Sequence, residues 1–224
     1  MTGGRAAVSI ALVWSVALTA GCARYTQRID LSVPQPPLAP YAVAFERNPS
    51  VVTWEALHRH MRLGGLDDRS RDAIVGAIAN TDVEPRIVAA LAVDLATYGW
   101  DESFATLRLH NLRAQRAGSG RAVARTAHFA WSMLALRAAY LIQPVDVSDM
   151  DLRDTSQFVG QSMNLRSVNF AGSRLSRGVW RDSNLTWASF VRARADGALT
   201  CDGCVWRPGR QPQRKTFVRG RWIS

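Results

Sequence analysis

The sequence has few cysteines and almost no lysine. Three cysteines occur among 224 residues, and Lys215 is the sole lysine among 28 basic residues, so arginine carries nearly all of the positive charge. Arginine stays protonated and binds phosphate and carboxylate groups through a planar fork. The sequence also lacks a Gly-rich phosphate loop, a His-Glu-x-x-His motif and a Gly-x-Ser-x-Gly elbow. Their absence excludes the enzyme classes that these motifs mark.

The apolar run at the N-terminus is too short to cross a bilayer comfortably. Residues 6–20 form 15 uncharged positions after Arg5, whereas a membrane-spanning helix needs about 20. A basic start, a short apolar run and small residues before a cleavage point indicate an export signal. The end of the run, Thr19-Ala20-Gly21-Cys22, resembles the lipobox of bacterial lipoproteins, with Thr19 where that family prefers Leu.

The lipoprotein resemblance implies a signal peptide over residues 1–21 and acylation of Cys22, which becomes the first residue of the mature protein. Ala23, where an Asp would follow in another class of lipoproteins, resembles those sorted to the outer membrane. A plain secretory signal or an uncleaved anchor are the alternatives. The prediction is therefore a protein of the cell envelope, lipid-anchored to the outer membrane and facing the periplasm.

The next two segments differ sharply in composition. Residues 22–49 contain five prolines and are predicted to be an extended tether between the anchor and the folded body. Residues 50–144 are predicted to form an α-helical domain, because apolar residues recur at helical spacing between capping residues and glycines. The five predicted helices begin at Ser50, at Asp67 or Asp68, at Asp82, at Asp101 and near Gly120. The last is predicted to run to Gln143, before Pro144.

From residue 145 the hydrophobic period changes to five. Large apolar side chains stand at Leu165, Phe170, Leu175, Trp180, Leu185 and Phe190, mostly with a small residue two positions earlier. This pattern resembles the pentapeptide-repeat family, and the resemblance implies a short right-handed quadrilateral β-helix over residues 145–206. The predicted fold class is thus α+β, with an N-terminal α-helical domain followed by that β-helix. The alternative is an antiparallel sheet, which the alternation from Leu185 to Val191 favours.

The candidate reactive residues are sparse. His58 and His60 are two positions apart on a predicted helix and point to different faces, while His110 and His128 are isolated. All four are interpreted as ordinary histidines, and neither a metal nor a cofactor is predicted. Asp146, Asp149, Asp151 and Asp154 precede the repeats and are assigned to turns and caps.

Cys201 and Cys204, in the sequence Cys-Asp-Gly-Cys, are interpreted as a structural disulfide or, alternatively, a redox pair. The repeat pattern predicts that both point outward.

Residues 207–224 are predicted to be a basic tail that contacts an anionic surface, with no acid to offset its charge. The tail cations are Arg207, Arg210, Arg214, Lys215, Arg219 and Arg221.

Together these features predict a non-catalytic envelope lipoprotein that acts as a binding or scaffolding component. Its predicted partners are the membrane and an unidentified envelope protein, and nucleic acid is not among them. Two alternatives remain: a periplasmic enzyme whose site is assembled from residues distant in sequence, and binding of an anionic polymer or lipid through the basic tail.

Overall fold

The computed structural model of the protein describes residues 39–98, 100–138, 141–153, 158–206, 213–218 and 221–223. These residues belong to one compact unit. Its first part is helical, and none of the described helices is long and apolar enough to cross a membrane. The helices are α1 (Ala39–Arg47), α2 (Val51–Gly64), α3 (Asp68–Asn80), α4 (Pro85–Tyr98), α5 (Trp100–Arg116) and α6 (Gly120–Ala135).

Local capping sets where α2 and α3 begin, as predicted. Ser50 and Thr53 form a reciprocal capping box at the start of α2. The Asp67 carboxylate accepts a hydrogen bond from the backbone N–H of Ser70 at 2.7 Å. Such bonds satisfy amide groups that have no partner within the helix.

Two predicted boundaries are wrong. Residues 39–47 were assigned to the extended tether, but they form α1, whose Phe45 is fully buried. Pro40 lies in the first turn, where a missing N–H costs nothing, and burial of Phe45 stabilises the helix. The last helix ends at Ala135 and not at Gln143, because buried Arg137 turns inward and donates to the carbonyl of Asn164 at 3.2 Å.

The second part of the unit consists of short strands in two sheets. The strands are β1 (Val145–Asp146), β2 (Asp151–Leu152), β3 (Phe158–Gln161), β4 (Val168–Asn169), β5 (Arg174–Arg181), β6 (Arg194–Cys204), β7 (Gln213–Val218) and β8 (Arg221–Ile223). One sheet pairs β1 with β4, and the other six strands form one mixed sheet in the order β2-β5-β6-β7-β8, with β3 on β5.

The predicted quadrilateral β-helix is wrong. The strands up to β6 pair in parallel, but β7 and β8 add to the same sheet in antiparallel orientation, and the described strands do not close into a solenoid. The pairing distance along the chain also varies. Val145 pairs with Val168, Asn169 with Ser189 and Trp180 with Cys201, which are separations of 23, 20 and 21 residues. A regular repeat requires a constant separation, and the irregular insertions break it.

The burial expected from the five-residue spacing is nevertheless confirmed. Phe170, Leu175, Trp180, Leu185 and Phe190 are all buried. Phe170 stacks on Phe190 with ring centroids 5.0 Å apart. Trp131 of α6 meets Phe170 and Trp180 at 6.0 Å and donates its indole N–H to the carbonyl of Leu152 at 2.9 Å. The helices and the sheet therefore share one hydrophobic core.

Candidate functional site: a charged cleft between helices and sheet

A cleft of about 480 Å³ lies between the turn that joins α5 to α6 and the strands β2, β5 and β6. The helical wall is built largely from small residues, which leave room in front of the sheet. The sheet wall carries the charge. The principal lining residues are Gln115, Gly118, Gly120, Asp151, Arg153, Arg174 and Asp196.

Asn111 of α5 holds the two walls together. Its amide nitrogen donates to the carbonyl of Asp151 at 3.1 Å, and its amide oxygen accepts from the backbone N–H of Asp151 at 2.9 Å. The same nitrogen donates to the Thr126 hydroxyl of α6 at 2.9 Å. Gly118 then ends α5 with a φ of 66°, a left-handed conformation that glycine adopts without strain. The position of β2 is thus determined by a buried side chain 40 residues earlier.

Asp151 is the central charge of the cleft. It is 5% exposed, and its carboxylate accepts hydrogen bonds from Arg153 Nε at 2.8 Å and Nη2 at 2.5 Å. Arg153 also donates to Asp196 at 2.9 Å. Arg174 Nη1 lies 3.6 Å from the Asp151 carboxylate.

The electrostatics keep Asp151 ionised. Burial alone raises the pKa of a carboxyl, but hydrogen bonds from the side chain and backbone of Arg153, with the charges of Arg153 and Arg174, outweigh it. The pKa of Asp151 therefore lies below its usual value. The same pairing, with Asp196, raises the pKa of Arg153. Asp151 and Arg153 therefore form a stable pair of opposite charges in the cleft.

The histidines are less isolated than the sequence indicated. His58 Nδ1 lies 2.8 Å from a carboxylate oxygen of Asp94, whose other oxygen accepts from Trp54 Nε1 at 3.0 Å. Burial raises the pKa of Asp94, although the charge of His58 and hydrogen bonds from Trp54 and His58 act against it. His60 instead stacks on Tyr41, so the prediction that His58 and His60 face different ways is confirmed.

His110 forms a second such pair, with its Nε2 2.8 Å from the Asp72 carboxylate. Sequence reasoning missed both pairs because their members are 36 and 38 residues apart and on different helices. It also assigned Asp151 to a turn, although a carboxylate two positions before an arginine was a local signal for the ion pair. Within the described ranges, no three His, Cys, Asp or Glu side chains converge as a metal site would require.

Cys201 and Cys204 form a disulfide with their Cα atoms 5.8 Å apart. The prediction that both point outward is wrong, since both are fully buried. For Cys201, a bulge explains the difference: Ser176 pairs with Asp196 but Gly178 with Leu199, so β6 holds one extra residue there. Because side chains alternate along a strand, the extra residue turns Cys201 inward, beside Trp180.

The other predicted site residues are described only in part. Cys22 lies outside the described residues, as do Arg207, Arg210 and Arg219. Arg214 and Lys215 lie within β7, and Arg221 is exposed at the start of β8. The predicted basic tail thus contributes two strands to the sheet.

Comparison of the chain with models of known protein families, with characterised proteins and with solved structures gave no significant match.

Proposed function

We propose that the protein is an envelope lipoprotein, anchored in the outer membrane through acylated Cys22, that works as a non-catalytic binding or scaffolding component. The proposal begins from the export signal, in which an uncharged run over residues 6–20 ends at Gly21-Cys22. Its partners are the membrane and an envelope protein, and nucleic acid is not proposed as a partner.

The disulfide between Cys201 and Cys204 is the structural observation that supports the proposal most strongly. Disulfides persist in secreted and periplasmic proteins and are rare in the reducing cytosol. Here the bonded pair is part of the core of the sheet. A core built around an oxidised pair supports folding after export.

The charged cleft supports binding over catalysis. General acid–base chemistry needs a group whose pKa lies near the working pH, whereas Asp151 has a lowered pKa and is already paired with Arg153. Fixed, mutually oriented charges are suited to recognising a charged group. The basic residues Arg207, Arg210, Arg214, Lys215, Arg219 and Arg221 form a second proposed contact, with an anionic surface.

The contact between His58 and Asp94 favours an enzyme as the second candidate. A carboxylate at Nδ1 orients an imidazole for proton transfer through its other nitrogen, and the His58 side chain is partly exposed. Replacing His58 with Gln would remove a proton-transfer role. If the protein keeps its function in the cell envelope after His58→Gln, that result counts against an enzyme that uses His58 for proton transfer.

Metabolic labelling with a fatty acid tests the anchor. The wild-type chain should be labelled and fractionate with the outer membrane, and Cys22→Ser should lose the label. The double variant Cys201→Ser/Cys204→Ser is the matched control, because it removes the other two cysteines and leaves Cys22. Equal labelling of wild type and Cys22→Ser would overturn the proposal.

A further inference from the structure

The strand register places Arg194 beside Arg174, which is one of the residues that line the cleft. Arg174 of β5 pairs with Arg194 of β6, and Asp151 of β2 pairs with Arg174 on the other side. Neighbouring strands lie about 4.8 Å apart, and residues in register on parallel strands project from the same face. The row Asp151, Arg174, Arg194 therefore runs across three strands on the cleft side of the sheet.

The two acids of the cleft, Asp151 and Asp196, are already paired with a different arginine. Arg153 binds Asp151 through two nitrogens and Asp196 through a third. Arg174 has one longer contact, 3.6 Å to Asp151, and its side chain is about half exposed to the cleft. Arg194 is exposed. Like charges in register on adjacent strands destabilise a sheet, and an anion between the two guanidinium groups would remove that repulsion.

The opposite wall adds space and positive potential. Small residues, Gly118, Gly120, Ala114 and Ala124, make up most of this wall, with Gln115 and Val123 among them, and they leave space in front of Arg174. Helix α6 begins there, and its N-cap residue, Ser119, makes no side-chain capping hydrogen bond. The N-terminus of a helix carries a partial positive charge, which adds to the field of the arginines.

We propose that the edge of this cleft, where Arg194 adjoins the lining residue Arg174, binds a phosphate group between these two side chains. Two guanidinium groups offer paired N–H donors that match the oxygens of a phosphate. The phosphate is presented either by the headgroup of an anionic phospholipid or by a small soluble phosphorylated compound. The inference deepens the binding role proposed for the cleft and rests on it, but the site needs no residue of the anchor or of the basic tail.

Titration of the full chain, purified in a nonionic detergent, with inorganic phosphate tests the site by calorimetry. Arg194→Gln removes an exposed side chain and should weaken phosphate binding about tenfold or more, as expected for loss of a hydrogen bond to a charged group. Arg174→Gln should do the same. Arg181→Gln is the matched control, an exposed arginine at the far end of the same strand, and should change affinity less than about twofold. Thermal melts check that each variant is folded.

Mixed micelles with phosphatidylglycerol or phosphatidylcholine distinguish the two phosphate sources. Binding of inorganic phosphate that depends on Arg194 supports a soluble ligand. Arg194-dependent binding that occurs with phosphatidylglycerol alone supports the headgroup. Equal losses in Arg194→Gln and Arg181→Gln, or no binding of either probe, would overturn the site. Neither result bears on the labelling of Cys22, so failure of one proposal is distinguishable from failure of the other.

Discussion

The contacts that define the secondary structure of the helical part and of the sheet part join residues at very different distances along the chain. In the helical part, a cap such as Ser50 bonds to a residue three positions away. In the sheet part, parallel partners are 20 to 23 residues apart, as with Asn169 and Ser189 or Val145 and Val168. A disulfide and an aromatic stack then consolidate the sheet. The comparison teaches that a change in the core of the sheet should cost more than a change in a helix cap, because the strand contacts join distant segments and a cap acts within its own turn.

The two parts also shift the pKa of a buried carboxylate in opposite directions. Asp94, between α2 and α4, has a raised pKa because burial dominates. Asp151, on β2, has a lowered pKa because hydrogen bonds and the charges of two arginines outweigh burial. Similar burial of the same residue type therefore produces opposite shifts, and the neighbouring cations decide the sign.

The largest expected loss comes from the aromatic core. Trp180→Ala should lower the free energy of unfolding by about 3–5 kcal/mol, because a large buried ring that contacts Trp131 of α6 leaves a cavity. The matched control is Trp187→Ala, whose ring is 61% exposed over Arg166 and should cost less than about 1 kcal/mol. Urea denaturation measures both. Equal losses would mean that Trp180 is not a core residue.

A smaller loss should follow removal of the disulfide. Cys201→Ala/Cys204→Ala should cost about 2 kcal/mol, because the cross-link closes a short loop in the unfolded chain. Urea denaturation of the oxidised wild type gives the reference. A reductant should destabilise the wild type and leave the double variant unchanged. If the reductant affects both alike, the disulfide is not the source of the difference.

The helical part should lose less from a local change. Ser50→Ala removes a side-chain cap from α2 and should cost about 1 kcal/mol. Ser119→Ala is the control, since Ser119 occupies the N-cap of α6 without a side-chain capping bond. It should leave the free energy of unfolding almost unchanged. A loss for Ser50→Ala as large as that for Trp180→Ala would remove the contrast between the two parts.

The smallest expected effect is on how the free energy of unfolding depends on pH. Asp151 in the sheet part and Asp94 in the helical part should change it in opposite directions. The pKa of Asp151 is lowered in the folded state, so its stabilisation is present above the usual value of 3.8 and is lost as pH falls through the folded pKa. The advantage of wild type over Asp151→Asn should therefore be constant from about pH 7 to 5 and shrink below about pH 4. The pKa of Asp94 is raised, so its protonation should stabilise the fold as pH falls toward 3.8. The free energy of unfolding of wild type, Asp151→Asn and Asp94→Asn should be measured across this pH range. The assignment is contradicted if the difference between wild type and variant changes in the same direction with pH for both carboxylates.

The sequence by itself determined where two helices begin and which apolar side chains of the sheet part are buried. The starts of α2 and α3 follow from Ser50 and Asp67, because a capping side chain bonds within its own turn. The five-residue spacing of Phe170, Leu175 and Trp180 correctly predicted burial, because an apolar side chain is driven from water in whichever sheet it belongs to.

Tertiary structure decided the rest. One extra residue in β6 turned Cys201 inward, and β7 and β8 joined the sheet in antiparallel orientation, so the regular β-helix did not form. The cleft depends on Asn111 meeting Asp151, 40 residues later, and on the register that sets Arg174 beside Arg194. Register and helix docking are properties of segments far apart in the chain, and a local pattern carries no information about which of them meet.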